Sequence, residues 1–355
     1  NLTTLTIRNE GNLDLNSDTT INATTLTWND SGIVTDRGGT MSPISGAGSL
    51  TIPSGATLYA DTARTWSSVA NSGTISHSQN STAATYRIDI TTTGDFTNTG
   101  TIDTDGLGYL GYEGPGAGAD TGSYSSAGGH GGQGGDSYEL VVGSGGDVYG
   151  SVTAPTTIGS GSGINQNATN TRQYLGGHGG GAIELTVGGN LIVDGAISAS
   201  GSVGSNFGSG GGSGGSVWLN VTGTLSSTGN VSADGGDALV ANAGAGAGGR
   251  VRIACSSSSW TGLISVVTGT TGFAADGGTT STACVVNDMP TVASITASQD
   301  ATQEGEVSIT FDINDPDDDD TVEALVEYNV GSGWEKATLS TDGADTSADF
   351  GDPSI

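Results

Sequence analysis

Two histidines stand in nearly identical glycine runs, and they are the first residues whose chemistry has to be considered. The run GGHGGQGGDSYEL covers residues 128–140 and GGHGGGAIEL covers residues 176–185, which places His130 and His178 at matching positions. Imidazole is a common metal ligand, so two stacked histidines would suit a transition metal that found further ligands nearby. A phosphate-binding loop would need a following Gly-Lys-Ser or Gly-Lys-Thr, which both runs lack. The remaining interpretation is that the glycines have a structural role.

The acidic run DINDPDDDD is the second candidate for chemistry. Its oxygen-bearing side chains are those of Asp312, Asn314, Asp315, Asp317, Asp318, Asp319 and Asp320. Ca²⁺ takes roughly six to eight oxygen ligands, and a bound ion would relieve the repulsion among the successive carboxylates. The run does not match the twelve-residue calcium loop, which has glycine at its sixth position and glutamate at its twelfth. We therefore keep two interpretations, a Ca²⁺ site and a solvated acidic loop between two strands.

The cysteines bear on the cellular compartment of the protein, and the net charge bears on its partners. Cys255 and Cys284 are the two cysteines of the chain, and a disulfide between them would fit an extracellular or cell-surface protein. Two buried free thiols are the alternative. The net charge of −29 disfavours nucleic acid and anionic membranes as partners, because their phosphates would be repelled. The sequence also predicts no membrane span, since no apolar run approaches about 18 residues.

The composition predicts an all-β protein. The chain has 64 glycines and one lysine, and 13% of its residues are charged, whereas average proteins have about 7% glycine and about 25% charged residues. Short strings of Val, Ile, Leu and Ala alternate with polar residues, which is typical of strands with one buried face. Collagen is excluded, because glycine shows no strict period of three.

A repeat organises these strands. The segments GDFTNTGTIDTDG (94–106), GNLIVDGAISASG (189–201) and GTLSSTGNVSADG (223–235) align without gaps, with glycine at positions 1, 7 and 13. An alternating strand precedes each copy, so one unit reads as three short strands separated by glycine turns. Such a unit predicts one coil of a β-solenoid whose apolar residues stack into a continuous core. The glycine runs recur just before each first strand without a conserved histidine, which predicts positive φ angles and close backbone approach there.

The unit GGGSGGSVWLNVTGTLSSTGNVSADGGD (210–237) and the following GAGAGGRVRI (244–253) resemble the right-handed parallel β-helix of bacterial surface proteins. That resemblance implies a glycine-rich, adhesin-like β-helix (β-solenoid) over residues 41–285. Residues 1–40 are predicted to be a β segment that caps the helix or pairs with a neighbouring subunit. Residues 286–355 resemble the first part of an immunoglobulin-like or fibronectin-type β-sandwich module. Because such a module needs about 100 residues, we expect it to be incomplete here.

The insertions between repeats are candidates for a binding surface. They cover residues 107–130, 156–175, 202–210 and 236–246, and they leave the same corner of successive coils. Loops aligned along a rigid scaffold favour ligand binding, so Tyr109, Tyr112 and Tyr124 are predicted stacking platforms for glycans. The alternative is that the insertions only shield that edge.

An enzymatic alternative rests on carboxylates. Polysaccharide lyases and hydrolases need clustered acidic residues. The candidates are Asp103, Asp105, Asp234 and Asp237, with Arg250 and Arg252 near them in sequence. In the aligned copies the Asp105 position holds Ser200 and Asp234, so these carboxylates are predicted to be turn residues.

We therefore predict a non-enzymatic extracellular structural protein, a rigid β-helical rod serving as an adhesin stalk or as the subunit of an extracellular filament. Its expected partners are further copies of itself or neighbouring surface proteins, with glycans as possible ligands. The first alternative is a carbohydrate-binding adhesin, and the second is a polysaccharide lyase or hydrolase.

Overall fold

The computed structural model describes residues 2–7, 11–21, 23–28, 32–41, 44–46, 48–120, 123–138, 145–164, 176–205, 207–284, 291–299, 307–314, 327–329 and 334–336. These residues form strands, turns and extended segments, and no helix occurs among them, so the described chain is all-β. In particular, the described part contains no helix that is long and apolar enough to cross a membrane. The chain divides into two compact units, Asn1–Cys284 and Val285–Ile355.

The strands of the first unit come in successive sets along the chain. The first sets hold two strands each: β1 (Leu2–Ile7) and β2 (Asn12–Asn16), β3 (Ala23–Trp28) and β4 (Ile33–Arg37), β5 (Ser49–Ile52) and β6 (Thr57–Ala60). The next sets hold three: β7 (Arg64–Trp66), β8 (Ser68–Asn71) and β9 (Thr74–Ser76), then β10 (Ile88–Thr92), β11 (Phe96–Asn98) and β12 (Thr101–Asp103), then β13 (Ala182–Val187), β14 (Leu191–Val193) and β15 (Ala196–Ser198). The last strands are β16 (Ser216–Ser227), β17 (Val231–Ser232), β18 (Arg250–Trp260), β19 (Ile264–Ser265) and β20 (Thr279–Cys284).

The strands pair in parallel with corresponding strands of neighbouring sets, and β1 and β3 form a separate two-stranded sheet. One sheet has eight strands in the order β19-β17-β15-β12-β9-β6-β4-β2. The second sheet has ten strands. In it β16 is long enough to pair with both β13 and β14, and β18 continues this pairing along β16. Strands β2 and β4 belong to the eight-stranded sheet, so the described strands of residues 1–40 include two that continue it.

The register of this pairing places apolar side chains directly above one another. Ile90 pairs with Leu185, Leu185 with Leu219, and Leu219 with Ile253, and all four side chains are buried. Because side chains alternate between the two faces of a strand, an in-register stack keeps every second residue in the core. Full burial of one such aliphatic side chain contributes about 1.5–3 kcal/mol. The pairing of β10 with β13 keeps this register although residues 104–181 separate the two sets.

Two buried polar groups extend the same stacking. The Asn71 amide donates to Asn98 Oδ1 at 2.7 Å and to the Thr101 carbonyl at 3.0 Å, and the Asn98 amide donates to the Ala196 carbonyl at 3.3 Å. Asn71 and Asn98 occupy matching inward positions on β8 and β11. A buried amide costs free energy unless its hydrogen bonds are made, so these bonds make the polar positions compatible with the core.

The glycine runs between sets form a bundle of extended segments instead of sheets. The backbone amides of residues 127–131 donate to five different carbonyls, those of Gly135, Gly211, Gly116, Gly132 and Gly248. At many of its glycines, backbone atoms of neighbouring segments leave no space for a Cβ atom. A methyl group at Gly145 would overlap the Gly134 carbonyl, and one at Gly246 would overlap the Gly212 carbonyl.

Of the two reasons that the sequence suggested for these glycines, the first, positive φ angles, was wrong. None of the glycines in the described runs at 128–135, 176–181, 210–215 and 244–249 lies in the left-handed region. Close backbone approach, the other reason that the sequence suggested, is the one that the structure shows. Physically, glycine is required here by packing and not by the φ angle.

The Val285–Ile355 unit contains two described hairpins. Strands β21 (Thr291–Gln299) and β22 (Val307–Asn314) pair antiparallel, as do β23 (Glu327–Asn329) and β24 (Trp334–Lys336). The rest of the module predicted for residues 286–355 lies outside the described residues, so its sandwich topology stays a prediction.

Replacing a bundled glycine by alanine should destabilise the first unit strongly. We expect Gly246→Ala to lower the free energy of unfolding by about 1–3 kcal/mol or more, because its methyl group meets backbone atoms that cannot move aside. Gly277→Ala is the matched control, since its methyl group would meet only the Val266 carbonyl oxygen at 3.8 Å, and its unfolding free energy should stay within about 0.5 kcal/mol. Chemical denaturation of the two variants measures both values. Equal stability of the two variants would contradict the tightly packed glycine bundle.

Candidate functional site

The glycine bundle leads directly into β13, β16 and β18 of the ten-stranded sheet, and a buried arginine holds it there. Arg250 begins β18 and is 4% exposed. Its guanidinium donates from Nε and Nη2 to the Tyr149 carbonyl at 3.0 and 2.8 Å, and from Nη1 to the Thr279 hydroxyl at 2.8 Å. A guanidinium has five donors in a rigid fork, so one side chain can fix several segments at once. Arg250 thereby ties Tyr149 to the sheet, and with it the long insertion between β12 and β13 (residues 104–181).

His130 lies beside this arginine, fully buried in the bundle. Its Nδ1 lies 2.9 Å from the Gly214 carbonyl and its Nε2 lies 2.8 Å from the Thr157 hydroxyl. Burial, together with the positive charge of Arg250, lowers the pKa of His130 to about 3. The ring is therefore neutral, Nδ1 donates to the carbonyl, and Nε2 accepts from the hydroxyl.

The two histidines of the glycine runs thus have different surroundings. Both ring nitrogens of His130 are engaged, which leaves no lone pair for a metal ion. His178 is partly exposed, and its backbone amide donates to the Ser202 hydroxyl at 2.8 Å. Within the described ranges no group of three or more His, Cys, Asp or Glu side chains is placed to hold a metal ion.

A cleft of about 370 Å³ opens between the segment that precedes β10 and the insertion. Its walls include Tyr86, Arg87, Tyr109, Tyr149, Thr156 and Thr157. The buried Asn80 fixes the first wall, because its Oδ1 accepts from the Tyr86 amide at 2.8 Å and its Nδ2 donates to the Tyr86 carbonyl at 2.9 Å. The same Nδ2 donates to the Leu107 carbonyl at 2.9 Å, which joins this wall to the start of the insertion.

The second wall is held from inside the bundle. The Tyr149 hydroxyl donates to the Ile158 carbonyl at 2.6 Å and accepts from the Ser160 hydroxyl at 2.8 Å. The Tyr149 ring lies against His130 with 4.7 Å between the ring centroids. Burial raises the pKa of Tyr149, so its hydroxyl remains protonated at any ordinary pH.

A short row of charges begins at Arg87, which lines the cleft, and continues along partly exposed positions of β10 and β13. Arg87 Nη2 lies 2.8 Å from Asp89 Oδ2 and 3.5 Å from Glu184 Oε2, and the two acids are partners in the register of β10 and β13. Burial raises the pKa of Glu184, the charge of Asp89 raises it further, and Arg87 opposes both. The row carries two carboxylates and one guanidinium, and it is therefore negative overall.

The structure separates the three tyrosines that the sequence singled out. Tyr109 lines the cleft. Tyr112 has a φ of 74°, and its amide donates to the Ser162 carbonyl at 2.6 Å. Tyr124 packs against Phe207 with the ring centroids 6.4 Å apart. Their role in glycan binding stays a prediction, and the tyrosines that join Tyr109 in the cleft, Tyr86 and Tyr149, were not anticipated.

Three of the candidate catalytic carboxylates, those of Asp105, Asp234 and Asp237, connect one set of strands to the next, and that of Asp103 makes a local contact. Asp105 Oδ1 accepts from the Ser200 amide at 2.6 Å, and Asp234 Oδ1 accepts from the Val267 amide at 2.9 Å. Asp237 Oδ1 accepts from the Thr270 amide at 2.5 Å, and Asp103 Oδ1 accepts from the Asp105 amide at 2.9 Å. No ion pair joins Arg250 or Arg252 to these carboxylates in the described part of the chain. Their observed contacts are those of turn residues.

The remaining candidates lie near the end of the chain. Cys255 and Cys284 are register partners on β18 and β20, and their sulfurs are bonded at 1.96 Å. Asp312 and Asn314 belong to β22, whereas residues 315–320 lie outside the described residues. The Ca²⁺ site at the acidic run therefore stays a prediction.

Comparison of the chain with protein-family models, with curated proteins and with solved structures finds no match.

The neutral state of His130 predicts an acid sensitivity. Below the ordinary histidine pKa of about 6.5 the unfolded chain binds a proton that the folded chain does not, so stability falls as the pH falls, by about 1.4 kcal/mol per pH unit. Between pH 6 and pH 4 the loss assigned to His130 is therefore about 2.5 kcal/mol. We expect His130→Gln to lose about that much less stability than the wild type over the same interval, as measured by denaturant titration at each pH. Parallel losses in the two proteins would contradict a neutral, buried His130.

Proposed function

We propose that the chain is a non-enzymatic structural protein of the cell surface or extracellular space, and that its Asn1–Cys284 unit is a right-handed parallel β-helix acting as a rigid rod. The observation that carries this proposal is the in-register parallel pairing through sheets of eight and ten strands. In such an array each set of strands contacts chiefly its neighbours, so the array can lengthen without a new kind of contact.

The contacts between sets support a mechanical role. Backbone ladders, stacked apolar residues and corner carboxylates all join one set to the next, so a load would be shared among many bonds. The Asp36–Arg64 pair adds a bidentate contact early in the array, with Arg64 Nε 2.7 Å from Asp36 Oδ2 and Nη2 2.8 Å from Oδ1. The disulfide between β18 and β20 supports an oxidising location.

Self-association is part of the proposal. The eight-stranded sheet ends at β19, and strand edges without a partner favour pairing with another chain. Leu263 and Val267 flank β19 and are 71% and 57% exposed, which gives this end an apolar surface. Contact of this end with the opposite end of another copy would be head-to-tail and would build an open filament.

The test is assembly of the purified chain, followed by sedimentation and electron microscopy. We expect fibres from the wild type and loss of fibres from the double variant Leu263→Lys, Val267→Lys, because charges at the terminal edge oppose pairing. The matched control is Val148→Lys, Val152→Lys, which changes two exposed valines of the insertion and should leave the fibres intact.

Loss of the fibres in a chelator would support Ca²⁺ as a cofactor of assembly. A chain that stays monomeric would exclude the filament, and cleavage of any polysaccharide would contradict a non-enzymatic role.

Carbohydrate binding is the second candidate function. One observation favours it, the meeting of Tyr109 with Tyr86 and Tyr149 in the cleft. In this case the array would act as a stalk that presents a glycan-binding insertion.

A further inference from the structure

We infer that the cleft is a binding site for a neutral pyranose, with Tyr86 and Tyr109 as its stacking groups and Arg87 at its rim. The inference deepens the second candidate function and rests on it. It names the place and the ligand class, which the three tyrosines predicted from the sequence did not define.

The size of the cleft fits a small ligand. Its volume of about 370 Å³ lies at the lower end of the about 300–1,000 Å³ found for small-molecule sites. One or a few sugar residues would therefore enter it, as a chain end or a side branch.

The tyrosine hydroxyls of the cleft differ in whether they already make hydrogen bonds within the part of the chain that the structure describes. The Tyr149 hydroxyl is engaged by Ile158 and Ser160, so this ring contributes a fixed surface. No hydrogen bond joins the hydroxyl of Tyr86 or Tyr109 to any residue that the structure describes, and both side chains are partly exposed. A tyrosine that offers an aromatic face and a free hydroxyl complements a sugar ring, which has C–H faces and a hydroxyl edge.

The charges at the rim select against acidic sugars. Arg87, the charged residue among those that line the cleft, is already paired with Asp89 and Glu184, so its positive charge is offset and would attract a ligand carboxylate only weakly. The net charge of −29 repels anions from the whole chain as well. The Arg87 guanidinium can still donate hydrogen bonds to ligand hydroxyls, because a guanidinium has five donors.

The walls are already in place before a ligand arrives. Asn80 fixes the Tyr86 backbone with two hydrogen bonds, and Arg250 fixes the Tyr149 carbonyl with two more. Residues held in this way lose little freedom on binding, which lowers the entropic cost of capturing a weakly binding sugar.

Saturation-transfer difference NMR on the full chain tests the site. The probes are the methyl glycosides of glucose, galactose, mannose and N-acetylglucosamine, with methyl glucuronide as the acidic comparison. The variants are Tyr86→Ala and Tyr109→Ala, and Tyr138→Ala serves as the control because it removes a tyrosine that is 68% exposed and lies outside the cleft. Thermal unfolding of each variant establishes that it is folded, and Tyr109→Phe retains the ring if Tyr109→Ala does not fold.

We expect at least one neutral glycoside to bind more tightly than the glucuronide. Its affinity should fall about tenfold, equivalent to about 1.4 kcal/mol, in Tyr86→Ala and Tyr109→Ala and remain unchanged in Tyr138→Ala. If Tyr109→Phe is used instead, the aromatic ring remains and only the hydroxyl is lost. The glycoside should then still bind, with a lower affinity than for the wild type. Binding that survives both cleft variants would overturn this site while leaving carbohydrate binding in place. Absence of binding to every neutral glycoside would overturn the site and the second candidate function together.

Discussion

Backbone hydrogen bonding between successive sets of strands, held in register, is the constraint on which the first unit depends. A shift by one residue would turn every inward isoleucine, leucine and valine outward, because side chains alternate along a strand. The pairing of Ile88 with Ile183 and of Phe96 with Leu191 shows that this register survives the long insertion between β12 and β13. The insertion is thus accommodated outside the array, without a change in how the sets stack.

The same constraint explains the glycine bundle. Backbone amides and carbonyls that leave a sheet still need partners when they are buried, and here they find them on neighbouring glycine segments. Such packing supplies hydrogen bonds but little apolar area, so a few buried side chains must position it. Arg250 and His130 do this by binding carbonyls of separate segments, and they place Tyr149 at the wall of the cleft. The wall of the cleft therefore depends on contacts made inside the bundle.

Much of the array could be predicted from the sequence, and the bundle could not. Alternating strings such as AIELTV indicated strands, and the gapless repeats indicated equal roles for Phe96 and Leu191, which the structure confirms as partners. These signals are local or periodic. The contacts of residues 127–131 follow no such pattern, because five adjacent amides bond to carbonyls whose separations in sequence range from two to more than one hundred residues. The meeting of Tyr86 with Tyr109 and Tyr149 depends on the same irregular path, so no spacing rule indicates it.

Cysteine cross-linking across the insertion tests the register most directly. Thr91 and Thr186 are partners on β10 and β13, at partly exposed positions of the same face. Paired parallel strands lie about 4.8 Å apart, within disulfide reach, whereas a partner displaced by two residues lies about 8 Å away, beyond it. In-register pairing predicts that Thr91→Cys, Thr186→Cys forms a disulfide on mild oxidation and that Thr91→Cys, Glu184→Cys does not, as read by peptide mass mapping. Cross-linking of the displaced pair in preference to the register pair would contradict the stacking of these strands.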